Sequence, residues 1–183
     1  MSEVTIKNSG ATFTPTELAD FLSDKLISKL DQQKETSYTI LDPACGEGEL
    51  LASITRKIKA SHNNLKIDIR GYDTNIDYLI VAKSNLSEFE INLDIQNQDF
   101  LSSQGACVEP LNLFNQRISE EYADVIIANP PYVRTQILGT ERAQEIAKRF
   151  NLKGRVDLYY PFLIAMTNVL KKGGLIGVIT SNR

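Results

Sequence analysis

Two consecutive prolines after an asparagine, with a tyrosine behind them, form the chemically sharpest stretch of this 183-residue chain: Asn129-Pro130-Pro131-Tyr132. The prolines fix the backbone and carry no N–H, so the Pro130 carbonyl and the Asn129 side-chain oxygen are left to face an outside donor. An aryl amine such as adenine N6 supplies two such hydrogens. Its lone pair is spread into the ring and nucleophilicity is poor; two acceptors on its hydrogens favour a pyramidal nitrogen whose lone pair is aimed at an electrophile. Tyr132 then offers a ring for a base that has been unstacked or flipped from a duplex. A rigid turn after a strand would use the same prolines.

Three other stretches carry matching signals. In Asp42-Pro43-Ala44-Cys45-Gly46-Glu47-Gly48, the two glycines allow a tight turn with donor groups at a helix start, and Asp42 adds a fixed acceptor. The third glycine of a dinucleotide fingerprint is missing, and an acid ahead of the glycines suits a cationic amine rather than a phosphate. Asp73 follows about 25 residues later, where such folds place an acid on ribose hydroxyls. Asp99 offers an acceptor for an exocyclic amine, and Phe100 an apolar ring for an adenine face. Taken singly, Asp73 and Asp99 also read as helix caps or turn residues. Together the set describes a nucleoside with an amine-bearing tail. His62 is the only histidine, which leaves a histidine-rich metal site and a Ser-His-Asp triad without support. Cys45 reads as a small packing residue, and Tyr159, Tyr160 and Phe162 fall on a helix that otherwise reads as core.

The elements that must position these residues alternate in type. Thr14-Pro15-Thr16-Glu17 has the form of a capping box with proline at the first helical position, and Leu18, Phe21, Leu22, Leu26 and Leu30 continue the helix as one stripe. Strands are predicted over 38–41, from Leu65 into Gly71-Tyr72-Asp73, over 91–95, over 124–128 and over 175–180. Between them come helices with faces Leu50, Leu51, Ile54, Ile58 and Ile76, Leu79, Ile80, Leu86, then a loop over 102–110, a helix over 135–150 and another over 157–170. Lys171-Lys172-Gly173-Gly174 reads as the end of that last helix. Such alternation predicts a doubly wound, mostly parallel α/β sheet, with ligands at the carboxyl ends of its strands.

Composition bounds the class. With 42% hydrophobic and 23% charged residues the chain is globular, not disordered or collagen-like. Lys and Arg number 20 against 23 Asp and Glu, a net charge of −3, so any grip on nucleic acid must come from a local patch or from additional chain. Residues 134–155 hold six basic residues and two acidic ones, a composition that also fits a solvated helix face. Two cysteines without CxxC spacing, no basic-then-apolar leader and no long apolar run point to a cytoplasmic protein that does not span a membrane.

On these motifs the chain resembles the catalytic domain of S-adenosylmethionine-dependent DNA adenine-N6 methyltransferases of the restriction-modification type, along nearly its whole length. The resemblance implies a Rossmann-like methyltransferase fold. It implies that Phe13-Thr14-Pro15, within Gly10 to Pro15, wraps the methionine end of S-adenosyl-L-methionine, and that Asp42, Pro43, Ala44, Cys45, Gly46 and Gly48 form the main cofactor loop. Asp73 then holds the ribose, Asp99 the adenine amine, and Phe100 and Phe162 the adenine ring. Asn129, Pro130, Pro131 and Tyr132 are the catalytic tetrapeptide, with Asn129 and Pro131 also bordering the cofactor. Residues 1–35 become an arm and helix with the first cofactor motif, and 36–183 the cofactor-binding catalytic domain. Relative to that family the sheet reads as truncated after its fifth strand, without a target-recognition domain. The implied partner is double-stranded DNA with the adenine flipped out, bound mainly through a missing C-terminal recognition domain, and the piece alone is expected to self-associate along its unpaired edge. Two alternatives stand beside this reading: a release-factor glutamine-N5 methyltransferase, whose amide substrate also suits Asn-Pro-Pro-Tyr, and a non-catalytic cofactor-binding subunit.

Overall fold

A computed structural model describes residues 13–30, 36–61, 65–103, 121–131, 140–152 and 157–180. His62, Tyr132, the Gly10 to Thr12 part of the first motif and most of the predicted 102–110 loop lie outside them. The elements run α1 (Thr16–Ile27), β1 (Ser37–Asp42), α2 (Glu49–Ser61), β2 (Lys66–Asp73), α3 (Ile76–Leu86), β3 (Asn92–Asn97), a single 3-10 turn (Phe100–Ser102), β4 (Ala123–Ala128), α4 (Thr140–Arg149), α5 (Tyr159–Val169) and β5 (Leu170–Val178).

Every strand pair is parallel, in the order β3-β2-β1-β4-β5. The chain therefore builds outward from β1 through β2 to β3, then returns to the other side of β1 with β4. That reversal opens a crevice between the carboxyl ends of β1 and β4, the place where open α/β sheets bind ligands. Alternation along the central strands feeds two cores. Ile40, Val125 and Ile127 face a cluster with Ile54, Ile58 and Leu79, while Leu41 and Ile126 face one with Phe162, Met166 and Val169. Burial on both faces explains why 125–128 is a continuous apolar run.

Three local expectations are corrected. The capping box does not form: Pro15 is itself the N-cap, its carbonyl accepts from the N–H groups of Leu18 and Ala19 at 3.0 Å, and Thr14 is left outside the helix. The face of α3 is also different. Leu79 and Leu86 are buried with Tyr78 and Ala82, whereas Ile76 and Ile80 are 53% and 62% exposed. Finally, Lys171-Lys172-Gly173-Gly174 does not terminate the helix but lies inside β5. Between Ala123↔Leu170 and Val125↔Leu175 this strand advances five residues while β4 advances two, a bulge that Gly173 permits with its φ of +86°. A Cβ on Gly174 would stand 2.9 Å from the Asp124 carbonyl oxygen. Asp124 pins the bulge by accepting from Lys171 Nζ at 2.8 and 2.9 Å and from the Thr39 N–H at 2.8 Å.

Helix α1 closes the first core by lying directly on β5. Gly177 makes the approach possible, since a Cβ there would meet Leu22 and Leu26 at 2.9 Å. This brings the segment before α1, with Phe13, Thr14 and Pro15, to the carboxyl end of the sheet.

Candidate active site

At the end of β1, Asp42 is almost wholly buried. Its Oδ1 accepts from the Ala44 N–H at 3.0 Å, and its Oδ2 has no hydrogen-bond partner among the described residues. Burial pushes its carboxyl up to about 8; the Ala44 N–H pulls the other way, and the neighbouring Asp73 charge adds a smaller upward push. An orphaned carboxylate oxygen at a strand end suits a cationic amine, which would satisfy the lone pairs and restore the charge.

The backbone that follows is shaped by its glycines. Gly46 has a φ of +52° with nothing within 4 Å of a hypothetical Cβ, so open space adjoins it. Gly48, at a φ of +84°, presses its Cα on Ala82 of α3, where a Cβ would lie 3.1 Å from the Ala82 Cα. Pro43 is buried, Ala44 partly so. The Cys45 N–H donates to the Tyr72 carbonyl at 2.8 Å. Its thiol is buried, and burial, followed by the Asp42 and Asp73 charges, pushes its pKa far above the ordinary thiol range. Cys45 is therefore a packing residue and not a nucleophile.

Asp73 faces this loop from the end of β2. Its Oδ2 accepts from the Gly46 N–H at 3.0 Å and its Oδ1 from the Asn75 N–H at 2.8 Å, while Asn75 caps α3 through the Asp77 N–H at 2.9 Å. Two backbone bonds fix the carboxylate and leave a lone pair on each oxygen for hydroxyl donors. Asp99 is likewise both cap and acceptor. Its Oδ1 accepts from the Leu101 N–H at 3.0 Å, and its Oδ2 from Ser102 Oγ at 3.1 Å and from the Arg142 guanidinium. Arg142 reaches down from α4 and also contacts Glu145 at 3.3 Å. The charge count allowed a solvated face for the basic stretch that includes Arg142; the structure leaves its side chain 38% exposed and pairs it with the end of β3, across 43 residues, and no local pattern signals that pairing. Phe100 and Phe162 meet as offset rings with centroids 6.1 Å apart, and Tyr72 stands 5.3 Å from Phe100. Both phenylalanines are deep in the second core, and Phe100 follows Asp99 directly in the chain.

At the end of β4, Pro130 is buried and Asn129 and Pro131 are partly so. Asn129 Nδ2 donates to Thr14 Oγ1 at 3.1 Å. Phe13 is exposed, its ring edge-on to Tyr78 at 5.5 Å. The predicted residues thus gather into three groups at the carboxyl ends of the strands: Asp42, the glycine loop and Asp73; Asp99 with Phe100 and Phe162; and Asn129 with Thr14. Among the described residues no group of three or more His, Cys, Asp or Glu side chains could hold a metal ion, and no helix is long and apolar enough to cross a membrane. The orphaned Asp42 oxygen and the open space at Gly46 fit an amine-bearing nucleoside such as S-adenosyl-L-methionine.

Comparison with known proteins gives a consistent picture. The family model described as N-6 DNA Methylase matches residues 1–183. The chain is 48% identical over 183 residues to the type II methyltransferase M.BanIII of Aneurinibacillus aneurinilyticus, covering 97% of this chain and 31% of that protein. It is 26% identical over 199 residues to the type II methyltransferase M.BstVI of Geobacillus stearothermophilus, covering 95% and 34%. It spans about a third of the length of these relatives. Among solved structures, a type I restriction-modification methyltransferase subunit from Streptococcus thermophilus superimposes with a TM-score of 0.64 at 19% identity, over 93% of this chain and 35% of that one. A class I S-adenosylmethionine-dependent methyltransferase described as putative, from Listeria monocytogenes, does so with a TM-score of 0.64 at 18% identity, over 97% and 50%. The sheet is that of the Rossmann-like methyltransferases.

Proposed function

The chain belongs to the N-6 DNA methylase family, and from that premise we propose that it transfers a methyl group from S-adenosyl-L-methionine to adenine N6 in DNA, as the catalytic part of a restriction-modification enzyme. One observation carries the proposal: β1 and β4 are neighbours, paired Ile40↔Val125 and Leu41↔Ile126, so the loop with the orphaned Asp42 oxygen and the tetrapeptide with Asn129 leave adjacent strand ends.

S-adenosyl-L-methionine supplies a methyl group on a sulfonium, ready for displacement by a nucleophile. Asp42 takes the ammonium of its amino-acid end, near Phe13 to Pro15. Asp73 accepts from the ribose hydroxyls, Asp99 from the adenine amine, and the apolar wall of Phe100 and Phe162 backs the ring. The Asn129 side-chain oxygen and the Pro130 carbonyl accept the two hydrogens of the target amine. That concentrates its lone pair on nitrogen and stabilises the positive charge that develops there as the new bond forms. Tyr132 stacks on the flipped base. Residues 1–35 serve as an arm and 36–183 as the catalytic domain, in a cytoplasmic protein. With a net charge of −3, duplex DNA is held chiefly by chain additional to these residues. Among the described residues no strand pairs with the outer edge of β5, which leaves it for a further strand or a second copy, and gel filtration of the isolated chain would read the latter as self-association.

The test is methyl transfer from labelled cofactor to duplex DNA and, in parallel, to a glutamine-bearing peptide. Label recovered as N6-methyladenine supports the assignment. Label on the peptide amide would favour the glutamine-N5 alternative, and cofactor binding without transfer to either substrate, with the complete protein, would favour a non-catalytic subunit.

A further inference from the structure

Helices α1, α2 and α3 pack into the first core from one side of the sheet, with Ala19 and Leu26 from α1, Leu51 and Ile54 from α2, and Leu79 and Leu86 from α3. Helix α2 stands between the other two. Its Ser53 Oγ donates to Asp20 Oδ1 of α1 at 2.5 Å, while the turn leading into it meets α3, where Gly48 presses on Ala82 and the Glu47 carbonyl accepts from Asn85 Nδ2 at 3.0 Å. Yet the ring of Phe13, just before α1, lies edge-on to Tyr78 of α3, with centroids 5.5 Å apart and planes at 74°. The strand order agrees: Thr14 meets Asn129 at the end of β4, Tyr78 is in the first turn of α3 after β2, and β1 runs between β2 and β4. The segment from Phe13 to Pro15 therefore crosses the end of β1, where Gly46 and Gly48 shape the cradle.

We propose that this segment is a strap across the cofactor cradle and that Tyr78 is the positioning residue that clasps its far end. S-adenosyl-L-methionine then enters and leaves when Phe13 lifts from Tyr78. The inference rests on the cofactor reading above and adds to it a residue that acts through another, on a helix that carries none of the motifs.

The two ends of the strap are held with different strength. At the near end Pro15 has its φ fixed at −60° by its own ring, and α1 behind it rests on β5 through Leu22 and Leu26 at Gly177. At the far end Phe13 is 48% exposed and meets one ring, edge-on. Such a pair is weak enough to open readily, while the near end stays in place. Tyr78 itself is buried, yet among the described residues it belongs to neither core cluster, so its ring is not one of the groups on which either core depends. Its position is referenced to the cradle all the same. The N-cap of α3, Asn75, donates its N–H to Asp73 Oδ1 at 2.8 Å, so the clasp and the ribose acceptor share one turn. A weak contact on a fixed base is what a gate for ligand exchange requires.

The experiment measures the association and dissociation rates of S-adenosyl-L-methionine by surface plasmon resonance, with any chain beyond Arg183 retained. A clasp that closes the cradle with or without cofactor inside slows entry and exit alike. Y78L and F13L should therefore each raise both rate constants by about two- to tenfold, the scale of one ring pair, with Kd held within about twofold. Y78F keeps the ring and should match wild type. The F13L/Y78L double variant should be no faster than either single one, because side chains that act as a unit are not additive. If Y78L does not fold, F13L, at a half-exposed position, is read by the same measurements. Faster exit with unchanged entry, unchanged rates in a folded variant, or additive effects in the double variant would overturn the clasp while leaving the cofactor reading intact. Wild-type protein that binds no S-adenosyl-L-methionine would overturn both.

Discussion

The loop after β1 and the ends of β3 and β4 are built on different plans. In the first, the devices lie within one strand-to-helix turn or on the neighbouring one: Asp42 bonds to Ala44 two residues on, Gly46 and Gly48 adopt their left-handed turns within the same seven-residue stretch, and the Gly46 N–H reaches Asp73 at the end of β2. At the ends of β3 and β4 a partner more distant in sequence is added, for Asp99 on top of the Leu101 N–H and Ser102 Oγ. Arg142 holds Asp99 from 43 residues away and Thr14 holds Asn129 from 115. The first site is fixed once β1, β2 and the helices that follow them pack; a site closed by more distant partners is fixed only when the whole sheet is assembled. The first plan suits a cofactor cradle. The second suits a catalytic group that must answer to both cofactor and base.

The sharpest way to break this contrast is to separate binding from rate. Asn129→Ala should leave cofactor affinity within about twofold and lower the methylation rate by about a hundredfold or more, the scale for losing a transition-state acceptor. Calorimetry and single-turnover methylation together check it. Loss of cofactor binding in proportion to rate would mean that the two regions are one site. On the cradle side, Asp73→Ala should weaken cofactor binding by about 1 to 3 kcal/mol, the range for hydrogen bonds to a charged group. An unchanged affinity would remove Asp73 from the cradle.

The same division decides what could be read from the chain before its structure. The acid ahead of two glycines, the acids closing β2 and β3 and the Asn-Pro-Pro-Tyr run are local patterns, and the alternation of strands and helices places them at one end of a sheet. Helix α2 buries the predicted face because Leu50, Leu51, Ile54 and Ile58 lie on one side. Thr14 was legible as a helix cap and, through the family resemblance, as part of the first cofactor motif, but nothing near it in sequence names Asn129 as its partner. Lys171 to Gly174 was legible as a helix end, since basic residues and glycines suit one; the register of β4 and β5 turns them into a bulge instead. Arg142 was one charge among several until the fold set it beside Asp99.

Asp42 gives a pH signature to the local side. Its folded-state carboxyl lies at about 8, raised by burial, against an ordinary value near 4 in an unfolded chain. A raised value favours the protonated fold, so this group's contribution to stability is fully present below about pH 4 and is lost as pH rises toward 8. The isolated chain without cofactor should therefore lose stability across that window by this route, and Asp42→Asn should flatten the slope in urea titrations. Binding of a cationic amine should release a proton at neutral pH, visible as a buffer-dependent enthalpy. A wild-type slope unchanged by Asp42→Asn would show that the carboxylate is already compensated.

The smallest expected effect probes the distant side. Among the described residues, Asp99 Oδ2 already carries two donors, Ser102 Oγ and Arg142, whereas Oδ1 carries only the Leu101 N–H. The free lone pair is therefore on Oδ1, and an adenine amine can be accepted there with the guanidinium in place. On this count Arg142 steadies the carboxylate and does not compete for it. The side chains of the pair are 38% and 26% exposed, which puts the interaction near the 0 to 1 kcal/mol of surface ion pairs. Arg142→Ala should weaken cofactor binding by only about two- to fivefold, and the difference from wild type should shrink as salt rises and screens the pair. Calorimetry across a salt series reads both quantities. Tighter binding in Arg142→Ala would mean that the guanidinium occupies the amine's own place, and the end of β3 would then be a latch that the cofactor must open.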